Sequence, residues 1–134
     1  MAQYEITKIL DGPRNAVFHV AIAGDGVSEI EDAVLIDPAT SFDPALPPVP
    51  SLTVDQLWYD LSGFTARLEF DYLGTDTPIW TMSDAQAGHM DFYCFGGIKD
   101  RSSEALGGLG KIKLTTSGLG SGDFGTMIVK LRKD

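Results

Sequence analysis

The chain has 134 residues, 43% of them hydrophobic and 22% charged, with 15 glycines; this balance excludes a disordered chain and suits one turn-rich globular domain with a real core. Its net charge of −9 and pI near 4.4 give a surface that repels phosphate backbones, which argues against direct nucleic-acid binding.

The N-terminus, Met1 to Glu5, has neither a basic nor an apolar leader region, so no signal peptide is expected. No apolar run approaches the roughly 20 residues of a membrane span. Tyr4 to Leu10 mixes β-branched and apolar residues and reads as a first strand. It ends in Asp11-Gly12-Pro13-Arg14-Asn15, a dense turn signal in which Gly12 can take positive φ and Pro13 fixes its own. Ala16 to Ala23 is a second strand, with Phe18, Val20 and Ile22 on one face and His19 and Ala21 on the other. Two strands so close together predict a hairpin. Gly24 to Gly26 turns the chain. The strand-like run Ala33 to Ile36 follows, with Glu29, Glu31, Asp32 and Asp37 around it as a solvated acidic rim.

Five of the seven prolines, Pro38, Pro44, Pro47, Pro48 and Pro50, lie in one stretch. Proline removes a ladder donor, so 38–50 reads as an extended loop or surface arm of a single domain spanning 1–134. A loop of that length usually makes contacts. Leu52 to Leu61 reads as a strand rather than a short helix, with Leu57, Tyr59 and Leu61 alternating and Trp58 between them. The clearest alternation is Gly63 to Tyr72. Phe64, Ala66, Leu68, Phe70 and Tyr72 share an apolar face, and Thr65, Arg67, Glu69 and Asp71 share a wet one. This is the expected central strand, with the rest of the chain covering its apolar side.

Ile79 to Met82 is a short strand, Ser83 to Gly88 a loop, and Met90 to Phe95 a further strand ended by Gly96-Gly97. Lys99 to Gly110 has room for one helical turn around Ser103 to Leu106. Lys111 to Thr116 places Ile112 and Leu114 opposite Lys111 and Lys113. After the glycine turn Ser117 to Gly122, Gly125 to Arg132 closes the chain, with Met127, Val129 and Leu131 facing one way and Thr126, Ile128 and Lys130 the other. About eight or nine short strands at this spacing predict an all-β fold, an antiparallel β-sandwich or jelly-roll-like barrel.

Chemistry-bearing motifs reduce to structural readings. Gly120 to Gly125 matches Gly-x-Gly-x-x-Gly but precedes a strand rather than a helix, so it reads as a hairpin turn. Cys94, the single cysteine, excludes an intrachain disulfide and reads as a small core hydrophobe between Tyr93 and Phe95. His89 lies five residues before it, on the opposite face of a strand. Two histidines and one cysteine fall short of a structural zinc set. Asp25, Glu29, Glu31 and Asp32 lack the spacing of a calcium loop. Asp60, Glu69 and Asp71 are weighed as glycosidase carboxylates and set aside, since Glu69 and Asp71 fall on a solvent face with no cleft implied. Trp58, Tyr59, Trp80, Phe92 and Tyr93 are weighed as a sugar platform and read as core. No catalytic, cofactor or metal residue is assigned.

Certain motifs carry a resemblance. These are the turn and strand from Asp11 to Val17, the Gly63-Phe64 entry into an alternating strand, Phe92 to Gly97, and Leu114 to Leu131 with its glycine turn. Over most of its length the chain is similar to a group of small virion structural proteins of tailed bacteriophages. The resemblance implies a non-enzymatic capsid decoration (cement) protein, located in the virion and assembled in the host cytoplasm. Its partners would be the major capsid protein and itself, as a homotrimer, with no nucleic acid and no membrane. The expected partner contacts are Tyr4 and Ile6 of the first strand and Pro38, Pro44, Pro47, Pro48 and Pro50 of the proline-rich loop. A tail, connector or baseplate component is the alternative within that class. A carbohydrate-binding β-sandwich module is the alternative outside it.

Overall fold

The computed structural model describes residues 3–46, 51–72, 76–83, 87–99 and 108–133. The alternating stretch forms strand β5 (Thr65–Tyr72). Ala66, Leu68 and Phe70 are each no more than 1% exposed. It lies inside a four-stranded sheet in the order β3 (Ala33–Ile36), β9 (Gly108–Ser117), β5, β6 (Thr77–Met82). The second sheet runs β1 (Tyr4–Asp11), β2 (Asn15–Ala23), β10 (Phe124–Lys133), β4 (Leu52–Ser62), β7 (Ala87–Asp91), and the two-residue β8 (Ile98–Lys99) also pairs with β4. Every pairing is antiparallel. The expected antiparallel β-sandwich is therefore present, with ten strands among the described residues instead of eight or nine.

The apolar faces of the two sheets meet in one core. Phe18 and Val20 of β2, Leu57 and Leu61 of β4, and Met127 and Val129 of β10 are buried together with Leu68 and Phe70 of β5 and Ile112 and Leu114 of β9. Burial of each such side chain stabilises by about 1.5–3 kcal/mol. The other phase of β2, β4 and β10 is thereby forced outward.

Several expectations need correction. Met90 to Phe95 is not one strand: β7 ends at Asp91, and Tyr93–Phe95 form a 3-10 turn closed by Gly96 at φ 99°. Phe92 alone of this stretch is deeply buried, at 1%. Cys94 is exposed, not core, and its Sγ lies 3.3 Å from the Asp91 carbonyl. Gly12 does not use positive φ; it closes the first hairpin by donating its N–H to the Asn15 carbonyl at 2.8 Å. Glu69 and Asp71 lie on the outward phase of β5 yet are only 7% exposed. Arg67 Nε lies 3.3 Å from Glu69 Oε1, and Lys113 Nζ lies 2.9 Å from Asp71 Oδ1.

Glu29 is more than a solvated rim acid. Its carboxylate accepts hydrogen bonds from Thr116 Oγ1 at 2.9 Å, Gly118 N at 2.9 Å and Leu119 N at 3.0 Å. The N–H of Leu119 leads these donors in holding its pKa below 4.5, against the opposing effect of burial. This ties the segment before β3 to the turn before β10.

The described part of the proline-rich loop is no free arm. Residues 37–46 fold back in turns that the Asp37 carbonyl and the Ser41 hydroxyl close. Phe42 is buried edge-on against Phe18 at 5.8 Å. Pro47, Pro48 and Pro50 and the expected turn at Ser103 to Leu106 lie outside the described residues. The stretch 120–125 is a turn, with Gly122 at φ 84° and Asp123 Oδ2 accepting the Gly120 N–H at 2.7 Å, but not a hairpin: it carries the chain from β9 in one sheet to β10 in the other.

Candidate functional site

The outward face of the β1-to-β7 sheet collects aromatic and polar groups in cross-strand rows. One row runs His19 (β2), Ile128 (β10), Trp58 (β4), His89 (β7). The next, one pleat along, runs Ala21, Thr126, Asp60, Ala87. Trp58 and His89 stack with ring centroids 4.7 Å apart and planes 4° from parallel. A groove of about 300 Å³ lies beside them, with Trp58, Ile128, His19, Asp60, Thr126 and Ala87 among its lining residues. Tyr59, the inward neighbour of Trp58, packs against the core. Gly88 leaves room for it: a Cβ there would sit 2.6 Å from the Tyr59 hydroxyl.

Farther along the same face β10 adds two cations, Lys130 and Arg132. Val17, Lys130 and Gln56 pair across β2, β10 and β4, and Asn15 and Arg132 pair beyond them. A bulge in β4 places Asp55 between Val54 and Gln56, which face Leu131 and Lys130, and bulges re-aim side chains in this way. Asp55 is 2% exposed, and its Oδ1 lies 3.8 Å from Arg132 Nη2. Arg132 also donates to the Gly96 carbonyl at 2.8 Å and lies over the Tyr93 ring at 5.8 Å. These groups, with Arg14 from the first hairpin, enclose a recess of about 340 Å³.

On the other sheet, carboxylate oxygens of Asp32, Glu69 and Asp76 lie within 4.8 Å of one another. Cations answer two of these carboxylates, Arg67 at Glu69 and Lys113 at Asp76, while Asp32 accepts from the Thr115 hydroxyl at 3.4 Å. Lys113 Nζ is 3.4 Å from Asp76 and also holds Asp71, and the hydrogen bond to Asp71 leads in raising the Lys113 pKa. The arrangement is an ion-pair network.

The aromatic residues divide in a way the core reading misses. Phe92 is core, with Trp80 tilted on it at 5.4 Å, while Tyr93 is 60% exposed and Trp58 faces outward. The signal for Trp58 was its phase: Leu57, Tyr59 and Leu61 point in, so Gln56, Trp58 and Asp60 point out. Asp60 lies on one sheet and Glu69 and Asp71 on the other, so the weighed carboxylate set is not assembled. Of the expected partner contacts, Tyr4 and Ile6 pack against the core, Pro38 is half-buried and Pro44 is exposed.

Fold and face together define an antiparallel β-sandwich with an aromatic groove and a cationic recess on one sheet. No family model and no curated protein matches the chain. Among solved structures it is similar to an RmlC-like cupin family protein with a double-stranded β-helix fold from Methanocaldococcus jannaschii. That match has 8% identity and a TM-score of 0.38, covering 98% of this chain and 84% of the other. It is also similar to a cupin superfamily protein from Desulfitobacterium hafniense, with 14% identity and a TM-score of 0.31, covering 98% and 77%. Likenesses this loose carry no activity or ligand across. The expectation of a capsid decoration protein, or of another virion component, is corrected by these findings: the similar structures named are cupins, not virion proteins, and no sequence match ties the chain to a particle.

Proposed function

We propose that the chain is a non-enzymatic ligand-binding β-sandwich module, and that its ligand is a saccharide laid in the groove beside Trp58. The outward Trp58 ring, held against His89 at 4.7 Å, carries this reading. A sugar ring has an apolar C–H face and a polar edge. Trp58 and Ile128 offer an apolar surface to the first, while Asp60, Thr126 and His19 offer acceptors and donors to the second. The stack on His89 fixes the indole before ligand arrives, which lowers the ordering cost of binding. The groove lies open on a sheet face, which suits one ring of a longer chain.

Affinity electrophoresis in gels containing soluble neutral or acidic polysaccharides tests the reading. Wild-type protein is expected to be retarded by at least one polymer. Trp58→Ala should keep its circular dichroism and lose the retardation. A Trp58→Ala protein that is retarded as strongly as wild type, or a wild type that no polymer retards, refutes it.

A further inference from the structure

We propose that the saccharide is anionic and that its acidic group sits in the recess lined by Arg14 and Lys130. This deepens the groove reading and rests on it. The chain has only ten Lys and Arg against nineteen Asp and Glu. Three of those cations, Arg14, Lys130 and Arg132, nevertheless line one recess of about 340 Å³. They come from opposite ends of the sequence: Arg14 from the β1–β2 turn, and Lys130 and Arg132 from the last strand.

Their charges are not equally engaged. Arg132 is answered by Asp55 and by the Gly96 carbonyl. Among the described residues no carboxylate forms an ion pair with Arg14 or Lys130. Asn15 and Gln56, which also line the recess, add amide donors. With Asp55 counted, the described residues that line the recess carry a net positive charge inside a chain of net charge −9. Such a concave positive site focuses the field on an incoming anion.

The recess also continues the groove. Lys130 is two residues from Ile128 on β10, and Gln56 is two residues from Trp58 on β4. Two residues along a strand span roughly 7 Å, so one face carries the aromatic row and Lys130 within the reach of a disaccharide. A ring on Trp58 then places a carboxylate or sulfate of the same or the next residue between Arg14 and Lys130. Both substituents share the chemistry the recess reads, a compact group of anionic oxygens.

Isothermal titration with length-matched neutral, uronate and sulfated oligosaccharides at low and high salt tests this. The proteins are wild type, Trp58→Ala, Arg14→Gln/Lys130→Gln, and Lys111→Gln as a charge control on the other sheet. At low salt the acidic ligand is expected to bind wild type at least tenfold more tightly than the neutral one, and salt should shrink that preference. The uronate and sulfate arms distinguish the two substituents. The double variant should lose the preference, while Lys111→Gln keeps it and Trp58→Ala loses all binding. Equal affinity for neutral and acidic ligands, unchanged in the double variant, overturns the anionic reading and leaves the groove reading standing. Acidic binding that survives Trp58→Ala refutes the groove reading, and the proposal with it.

Discussion

Replacement of Asp11 by Asn should destabilise the fold in a way that depends on pH. The Asp11 side chain is 9% exposed and that of Lys133, its partner at the far end of the chain, is 4% exposed. Asp11 Oδ1 accepts from Lys133 Nζ at 2.6 Å, and Oδ2 accepts from the Asp43 N–H at 2.7 Å and from Lys8 Nζ at 3.0 Å. Lys133 also donates to the Gly12 carbonyl at 2.7 Å and sits 4.4 Å from the Phe42 ring centroid. One contact thus pins the end of β10, the first turn and the folded-back loop together. Burial raises the Asp11 pKa, but the Lys133, Asp43 and Lys8 hydrogen bonds more than reverse this, lowering it from 3.8 to about 2.

A carboxylate whose pKa is depressed in the fold stabilises above its unfolded pKa and loses that contribution as pH falls through the folded value. The shift corresponds to about 2 kcal/mol, roughly halved by pH 3 and nearly gone by pH 2. Asn keeps an acceptor oxygen but leaves the Lys133 charge buried without its anion. The expected loss at neutral pH is therefore about 3 kcal/mol, or roughly 10 °C in Tm. Urea unfolding of both proteins between pH 2 and 7 measures the gap, which should shrink as pH falls below about 4. A gap below about 0.5 kcal/mol at neutral pH, or one that stays constant down to pH 2, refutes the reasoning.

Glu29→Gln removes the charge from three hydrogen bonds and turns an amide donor toward donors; a loss of about 2 kcal/mol is expected by chemical denaturation. Because the Glu29 pKa lies below 4.5 in the fold, this gap too should be full above that pH and narrow on acidification. Gly63→Ala puts a Cβ on a residue at φ 95° and into the Asp123 carboxylate, so about 1–3 kcal/mol should be lost, read as a lower urea midpoint. Phe70→Ala in the centre of β5 should cost about 3–5 kcal/mol, and Trp58→Ala on the outward face less than about 1 kcal/mol. Comparable losses for the two would mean that Trp58 is a core residue.

How much of this was legible in the sequence differs from element to element. The period-two patterns of β2, β5, β9 and β10 gave the right faces because one side of each sheet packs on the core. The same pattern misread Glu69 and Asp71. It reports which face a side chain takes, and that face is covered by Lys113 from β9 and Arg67 from β5 itself. The end of β7 was obscured because Phe92 continues the apolar run while the chain leaves the sheet into a 3-10 turn. The outward placement of Trp58 is readable by phase, but a core expectation competes with it because aromatic strand residues are so often core. The Arg14–Lys130 recess was not readable, since strand order alone brings the first turn beside the last strand. The resembling motifs were turns and core strands; they describe how a β-sandwich is built and carry no partner, which is why the fold expectation held and the virion one did not.

The most direct test of the account is a map of backbone amide shifts in 15N-labelled protein titrated with an oligosaccharide that retards it in a gel. Saturable shifts are expected, concentrated on the outward face around Trp58, Ile128, His19 and His89 and extending to Lys130 and Arg14 when the ligand is acidic. Shifts centred instead on the β3-to-β6 sheet, or on the 37–46 loop with the Trp58 row unmoved, would contradict it.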